Sequence, residues 1–157
     1  VCSSDLSNIR YGKPEITDAQ VKEAAEVAQA TEFIDTKPEK YESPVSQGGT
    51  NVSGGQKQRL SIARAIAKDP EIFIFDDSFS ALDFKTDSQL RKALKEYTKD
   101  ATTVIVAQRI STILGADQII VLDDGHMAGI GTHKELMANC EVYQQIARSQ
   151  LSEEELA

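Results

Sequence analysis

The segment that decides the fold of this 157-residue chain is Asn51-Val52-Ser53-Gly54-Gly55-Gln56-Lys57-Gln58-Arg59. Ser53 and Gln56 have the spacing of a capping box, which predicts that a helix begins directly after Ser53. The N-terminus of a helix attracts anions, and two adjacent glycines let a phosphate approach the backbone. An ordinary N-cap behind a flexible loop has the same local sequence, so this segment alone leaves both interpretations open.

The predicted helix leads into a strand that ends in acidic residues. Asp69-Pro70 ends the helix, whose apolar positions follow helical spacing: Leu60, Ala63, Ile66 and Ala67. The run Ile72-Phe73-Ile74-Phe75 is apolar throughout, as is typical of a buried strand, and it passes directly into Asp76 and Asp77. Acidic turns after buried strands are common, so the two aspartates alone do not define a metal site.

The rest of the chain alternates helices with strands. Upstream, a capping box at Thr17 and Gln20 predicts a helix over residues 18–30, and the Pro and Gly residues of 36–52 indicate a loop. Downstream, the patterns predict one helix over 90–97, a second that begins at the Thr132–Glu135 capping box and a third over 142–148. They predict strands at 103–107 and 118–122. The second of these strands turns at Asp124-Gly125 into a further strand that ends near Ile130.

Apolar strands separated by helices predict an α/β fold with a parallel sheet that is covered on both faces. In such sheets, ligand chemistry lies at the carboxyl ends of the strands. Asp76 and Asp77 follow one predicted strand and Gln108 follows the next. These three residues are therefore the candidates for chemistry.

Composition narrows the class of function. A net charge of −8 argues against nucleic-acid binding, which needs an excess of Lys and Arg to neutralise phosphates. No apolar run has the length of a membrane span, and residues 1–6 do not have the pattern of a signal peptide. Cys2 and Cys140 form no zinc-binding spacing, so we expect a reduced, cytosolic chain.

Four segments, in their order and spacing, resemble the ATP-binding-cassette (ABC) family. The segment Ser53-Gly54-Gly55-Gln56 is similar to the family's signature motif, Phe73-Ile74-Phe75-Asp76 to its Walker B strand and Ser80-Ala81-Leu82-Asp83 to its D-loop, while Gln108 stands where a switch histidine is usual. The resemblance extends over residues 8–148. Asn8-Ile9-Arg10-Tyr11-Gly12 and the run from Asp76 to Asp83 look most like exporters whose ATPase domain is fused to a transmembrane domain.

The resemblance implies a P-loop NTPase-like (RecA-like) α/β fold, a parallel sheet flanked by helices and incomplete without its Walker A half. It divides the chain into a non-family head at 1–7, part of the α-helical subdomain and a loop at 8–52, the signature helix and the C-terminal part of the ATPase core at 53–138, and a C-terminal helix and tail at 139–157. The implied ligands are ATP and Mg²⁺, with Asp76 as the metal ligand. The implied location is the cytoplasmic face of the plasma (inner) membrane, reached through the transmembrane domain.

The family's ATPase domains join head to tail in pairs. The resemblance therefore implies that Ser53, Gly54, Gly55 and Gln56 contact the ATP held by a second ABC ATPase domain. The segment Ser80-Ala81-Leu82-Asp83 would be the family's D-loop. The implied partners are that second domain and the exporter's transmembrane domain, with no nucleic acid.

The first departure from the family pattern is the phosphate-binding loop. The sequence has no G-x-x-x-x-G-K-[ST] segment, which supplies the backbone cradle and the lysine for the phosphates. We expect the chain alone to bind ATP weakly or not at all. The opening Val-Cys-Ser-Ser-Asp-Leu also does not fit the family, which suggests a truncated or spliced product in which Cys2 has no function.

Two further departures affect catalysis. Asp77 stands where active members usually have a glutamate that acts as general base, and its side chain is shorter by one methylene. A displacement of about 1 Å can lower the rate on the order of 10²-fold, because a base must lie within hydrogen-bond reach of its proton. Gln108 can hydrogen-bond a phosphate but cannot relay a proton. His126, in the predicted hairpin, and His133, in a helix first turn, are expected to be surface or cap residues.

Paired losses at Asp77 and Gln108 resemble the degenerate subunit of a heterodimeric exporter, whose nearly intact signature motif serves the partner's site. One alternative is a catalytic subunit of a homodimer that tolerates Asp77 as base. Another, for the chain alone, is a remnant without nucleotide that acts only as an interaction module. An ABC ATPase without a transport role fits the exporter-like spacing less well.

Overall fold

The computed structural model describes residues 3–152, so Cys2 and the last five residues of the predicted tail lie outside the described residues. The helices in this range are α1 (Asp5–Ile9), α2 (Asp18–Val27), α3 (Thr31–Asp35), α4 (Gly54–Ala67), α5 (Phe84–Tyr97), α6 (Ile110–Ile113), α7 (His133–Asn139) and α8 (Glu141–Gln150). The strands are β1 (Ser3–Ser4), β2 (Pro44–Val45), β3 (Ile72–Asp76), β4 (Thr102–Val106), β5 (Ile119–Asp123) and β6 (His126–Gly131).

The strands form three pairs within a mixed α/β architecture. β1 pairs antiparallel with β2, and β5 forms an antiparallel hairpin with β6. β3 and β4 are neighbours in a parallel sheet, connected by α5. The chain divides into two compact units between Val104 and Ile105. The sequence analysis instead places segment boundaries at residues 8, 53 and 139, and those boundaries stay a prediction.

The first unit is built around α4. This helix packs against α1 and α2, and α5 packs against α2. Its inward face buries Leu60, Ile62, Ala63 and Ile66, each at most 4% exposed. Because two helices pack against α4, its apolar stripe is buried in the core of this unit.

The two faces of β3 differ in burial, which corrects the prediction of a sheet covered on both faces. Phe73 and Phe75 are each 3% exposed and stack at a centroid separation of 5.9 Å, whereas Ile72 is 58% and Ile74 is 71% exposed. Successive side chains of a strand point to opposite faces. The described residues of the chain therefore cover one face of β3 and leave the isoleucines on the other face accessible.

The second unit packs two helices on the β5–β6 hairpin. Tyr143 of α8 is 1% exposed, and the other buried side chains of this core are Ile110, Ile119, Val121, Leu136, Cys140 and Ala147. Cys140 is a free buried thiol, and its Sγ lies 3.8 Å from the carbonyl of Ala128. The hairpin expected from the turn at Asp124-Gly125 is confirmed, with Asp123 paired to His126.

Three capping boxes predicted from sequence are confirmed at Thr17, Ser53 and Thr132. The predicted helix over 18–30 is wrong at its end. α2 stops at Val27, and Gln29 has a left-handed φ of 56°, which a continuous right-handed helix does not allow. A new helix, α3, then begins at Thr31. The expected loop over 36–52 also contains β2 and two single turns of 3₁₀ helix, Lys40–Glu42 and Gln47–Gly49.

Candidate functional site

The N-terminus of α4 is formed by the capping box that the sequence predicts. The Ser53 hydroxyl accepts a hydrogen bond from the Gln56 N–H at 3.3 Å, and the Gln56 side chain accepts one from the Ser53 N–H at 2.9 Å. Ser53 and Gly54 are exposed. The box uses one N–H of the first turn, and helix geometry aims the other N–H groups of that turn at solvent, where an anion could bind them.

The loop that leads into this turn is held by Asn51. Its side-chain oxygen accepts from the Ser46 N–H at 3.0 Å, and its side-chain amide donates to the carbonyl of Pro44 at 2.8 Å. Lys57 donates to the carbonyl of Gly48 at 3.0 Å from within the helix. Side chains on either side of Ser53 thus bond back to the loop and hold it against the start of the helix.

The two glycines of the turn lie against the segment 80–83. A Cβ atom on Gly55 would come within 2.9 Å of the Ala81 carbonyl oxygen, whereas one on Gly54 would lie 3.6 Å from the Ala81 Cβ. Only Gly55 is therefore too close to backbone for a side chain. The structure brings the predicted signature and D-loop segments of the same chain into direct contact.

Gln58 makes the polar contacts between these segments, a role that the sequence analysis missed. Its side chain bonds to Asp77, Ser80 and Ala81 at 3.0 to 3.2 Å. A signal was present, because Gly55, Gln58 and Ile62 have the i, i+3, i+7 spacing of one helical face. A polar residue on a packed face needs hydrogen-bond partners.

Two arginines hold the other sides of α4. Arg59 donates to the carbonyl of Gln29 at 2.7 Å and lies 4.8 Å from the centre of the Phe33 ring, and burial lowers the pKa of its guanidinium. Arg64 bonds to the carbonyl and the side chain of Asn8. The helix that carries the candidate turn is thus tied to α1, to the α2–α3 connection and to the residues after β3.

Asp76 is the last residue of β3 and Asp77 follows it, and both are exposed. Asp77 has a left-handed φ of 46°, which is uncommon for a residue other than glycine. Among residues 3–152, no three His, Cys, Asp or Glu side chains gather as a metal cluster. One exposed carboxylate is compatible with Mg²⁺, which commonly takes one or two carboxylates and completes its shell with water and phosphate oxygens.

Asp83 caps α5. Its carboxylate accepts from the Thr86 N–H at 3.0 Å and from the Thr86 hydroxyl at 2.7 Å. The backbone hydrogen bond from Thr86, followed by that of its side chain, lowers the pKa of the Asp83 carboxyl. Asp83 thus has a structural role in the chain, in addition to its place in the predicted D-loop.

Gln108 lies in the second unit, after β4, with its side chain exposed. The side chain of Gln150, near the end of α8, donates to the Gln108 carbonyl at 2.9 Å and accepts from the Ile110 N–H at 2.8 Å. The C-terminal helix therefore holds the backbone on both sides of Arg109. No spacing in the sequence indicated this pairing across 40 residues.

The two histidines are where the sequence places them. His126 is exposed on β6. His133, in the first turn of α7, has its Nδ1 2.8 Å from the hydroxyl of Tyr143, and the two rings meet edge to face. Burial raises the pKa of Tyr143, so it is a hydroxyl group at neutral pH.

Comparisons with known proteins show what the chain is similar to. Residues 5–80 match the family model described as ABC transporter. The chain is 47% identical to an uncharacterized ABC transporter ATP-binding protein of Mycobacterium tuberculosis, covering 91% of this chain and 25% of that protein. It is also 47% identical to a Staphylococcus aureus protein named as a multidrug export ATP-binding/permease protein, covering 88% of this chain and 24% of that protein.

The solved structure of a bacterial Atm1-family ABC exporter with ATP bound superposes on 98% of this chain and 27% of its own, with a TM-score of 0.92 and 35% identity. The chain belongs to the ABC transporter family, and its fold is that of part of an ABC ATPase domain. It spans about a quarter of the length of these relatives. No helix among residues 3–152 combines the length and the apolar character needed to cross a bilayer.

Proposed function

We propose that the chain is part of the nucleotide-binding domain of an ABC exporter, in which ATP binding and hydrolysis drive transport. The observation that carries this proposal is the exposed, capped turn at Ser53, held against the segment 80–83 of the same chain. The turn offers backbone N–H groups to an anion, and Asp76, at the end of β3, offers a carboxylate for Mg²⁺. The S. aureus relative, whose name describes export, supports transport out of the cell as the direction.

The proposed roles are those that the resemblance to the family assigns to these positions. Asp76 would hold Mg²⁺ beside the phosphates, and Asp77 would orient the attacking water. Ser53, Gly54, Gly55 and Gln56 would contact the terminal phosphate of an ATP bound by a second ABC ATPase domain, arranged head to tail. The sequence contains no phosphate-binding loop of the G-x-x-x-x-G-K-[ST] pattern, so ATP binding in this proposal needs protein outside these residues.

We further propose that this chain's own site is degenerate and that the partner of a heterodimer supplies the competent one. Asp77 has the charge of a general base but a shorter reach than glutamate, and Gln108 cannot carry a proton. A transmembrane domain would place the assembly at the cytoplasmic face of the membrane. ATP-driven closure of the two ATPase domains would then be transmitted to that domain.

The test is ATP turnover by the full-length protein with its partner. Asp77→Glu combined with Gln108→His should raise turnover on the order of 10-fold or more, because the base then reaches its water. Ser53→Ala should lower turnover at the partner's site, and Thr17→Ala, which removes an equivalent cap on α2, should not. Unchanged turnover in both Ser53→Ala and the double variant would contradict the proposal.

Two alternatives are separated by simple measurements. Rapid turnover by a full-length homodimer with Asp77 in place would favour an ordinary catalytic subunit. Calorimetric titration of the 157-residue chain with Mg-ATP tests whether it is an interaction module without nucleotide. Measurable binding of Mg-ATP would exclude the interpretation of the chain as an interaction module without nucleotide.

A further inference from the structure

The Gln58 side chain uses both kinds of group that an amide offers. Its oxygen accepts from the Ala81 N–H at 3.0 Å. Its nitrogen donates to the Asp77 carbonyl at 3.2 Å and to the Ser80 hydroxyl at 3.1 Å. Because an amide NH₂ has two hydrogens, both donors are satisfied. One side chain of the signature helix thus bonds to three residues of the segment that contains the candidate base.

The bonds meet at the carbonyl of Asp77. The Ser80 hydroxyl, which accepts from Gln58, itself donates to this carbonyl at 3.2 Å. A left-handed conformation such as that of Asp77, at φ 46°, is uncommon for a residue other than glycine and is favoured where contacts hold it. The two donors on its carbonyl are the contacts that hold it. The backbone conformation of Asp77 in turn sets the direction of its Cα–Cβ bond, from which the carboxylate extends.

Packing alone already holds the helix against this segment. Gly55 lies against the Ala81 backbone, and Leu82 beside it is 8% exposed. Gln58 therefore acts alongside packing that also keeps the two elements together. Its specific contribution is the orientation of the peptide after Asp77 and of the Ala81 amide.

We propose that Gln58 is a positioning residue that orients Asp77 and the segment 80–81 from the helix that carries the signature turn. This inference rests on the proposed function, because it gives Asp77 its role as base. It makes the direction of the Asp77 carboxylate depend on the position of α4. The chain's own site and the turn lent to the partner are thereby linked within one chain.

Two substitutions separate this role from packing. Gln58→Glu keeps the size and the acceptor for the Ala81 N–H but removes both donors to Asp77 and Ser80. Gln58→Met keeps the length and removes every hydrogen bond without adding charge. Gln89→Glu and Gln89→Met, at an exposed position of α5, are the matched controls.

Turnover is measured in the full-length assembly, in the Asp77→Glu, Gln108→His background where this chain's site is expected to contribute. Both Gln58 variants should lower kcat on the order of 10-fold with KM for ATP changed less than about twofold, because misdirection of the base affects the chemical step. Ser80→Ala should lower kcat less in the Gln58→Met background than in the parent, since the Ser80 and Gln58 side chains both donate to the Asp77 carbonyl. A kcat within twofold of the parent in both Gln58 variants would overturn the proposal.

Hydrogen exchange at the Ala81 amide gives a readout independent of turnover. Protection should persist in Gln58→Glu, fall in Gln58→Met and stay unchanged in the Gln89 controls. Equal protection in all variants would show that Gln58 does not hold this segment and would overturn the inference. If no background hydrolyses ATP, the proposed function fails, while the exchange rates still decide whether Gln58 holds the segment.

Discussion

At the scale of single residues, glutamine side chains hold the backbone beside each of the two candidate catalytic residues, Asp77 and Gln108. Gln58 bonds to the main chain of Asp77 and Ala81, and Gln150 bonds to the main chain of Gln108 and Ile110. An amide side chain suits this task because it donates and accepts at once, as a peptide group does. The side chains of Asp77 and Gln108 stay exposed and available for a ligand.

The two adjacent glycines of the signature turn should respond differently to alanine. Gly55→Ala should lower the free energy of unfolding by about 1–3 kcal/mol, because its Cβ would lie 2.9 Å from the Ala81 carbonyl oxygen. Gly54→Ala meets only an ordinary contact at 3.6 Å and should be neutral or slightly stabilising. Urea unfolding of the two variants measures the difference, and equal stabilities would show that the close approach of Gly55 has no energetic consequence.

At the scale of elements, side-chain caps mark the start of several helices. Thr17, Ser53, Asp83 and Thr132 each accept a hydrogen bond from the third residue of the following helix. Asp83 is the cap among these four that carries a charge. Its position at the positive end of α5 favours the ionised form.

The cap at Asp83 should make stability depend on pH. Because its folded-state pKa is lowered, the ionised carboxylate stabilises the fold above the unfolded pKa of about 3.9, and this contribution is lost as the pH falls through the folded pKa. Asp83→Ala should therefore lower the melting temperature at pH 7, and the difference in melting temperature from the wild type should shrink progressively below about pH 4. Thr17→Ala removes a cap that does not titrate, so its cost should be the same at both pH values. Parallel pH profiles for the two variants would contradict the assignment.

At the scale of the whole molecule, apolar surface is exposed on the strands. Ile72 and Ile74 on β3 and Leu122 on β5 are each at least 58% exposed. The chain also spans about a quarter of the length of its relatives. Contiguous apolar patches on a protein surface favour association with other protein.

The 157-residue chain should self-associate through the open face of β3. The double substitution Ile72→Thr, Ile74→Thr should shift the chain towards monomer, because it removes apolar side chains and keeps β-branched residues in the strand. Ile146→Thr, on α8, is the control for loss of a single exposed isoleucine. Sedimentation over a range of concentrations measures the effect, and the same association in wild type and double variant would show that this face is not involved.

The sequence by itself determined the local features. Capping boxes, the Asp69-Pro70 stop, the apolar run before Asp76 and the Asp124-Gly125 turn all depend on residues within a few positions of each other, so their spacing carries the information. The family was also accessible, because its motifs are short and their order is preserved along the chain. The end of α2 was mispredicted, because its helical pattern of alanines continues to Ala28 and does not encode the left-handed Gln29.

Only the tertiary structure decided which residues support the candidate site. Gln58 meets Ala81 across 23 positions and Gln150 meets Gln108 across 42, distances over which no periodic pattern applies. The burial of β3 was likewise undetermined, because an apolar run fits a strand whether one face or both are covered. Local spacing sets backbone conformation, whereas contacts between distant segments depend on how whole elements pack, and that packing is a property of the folded chain.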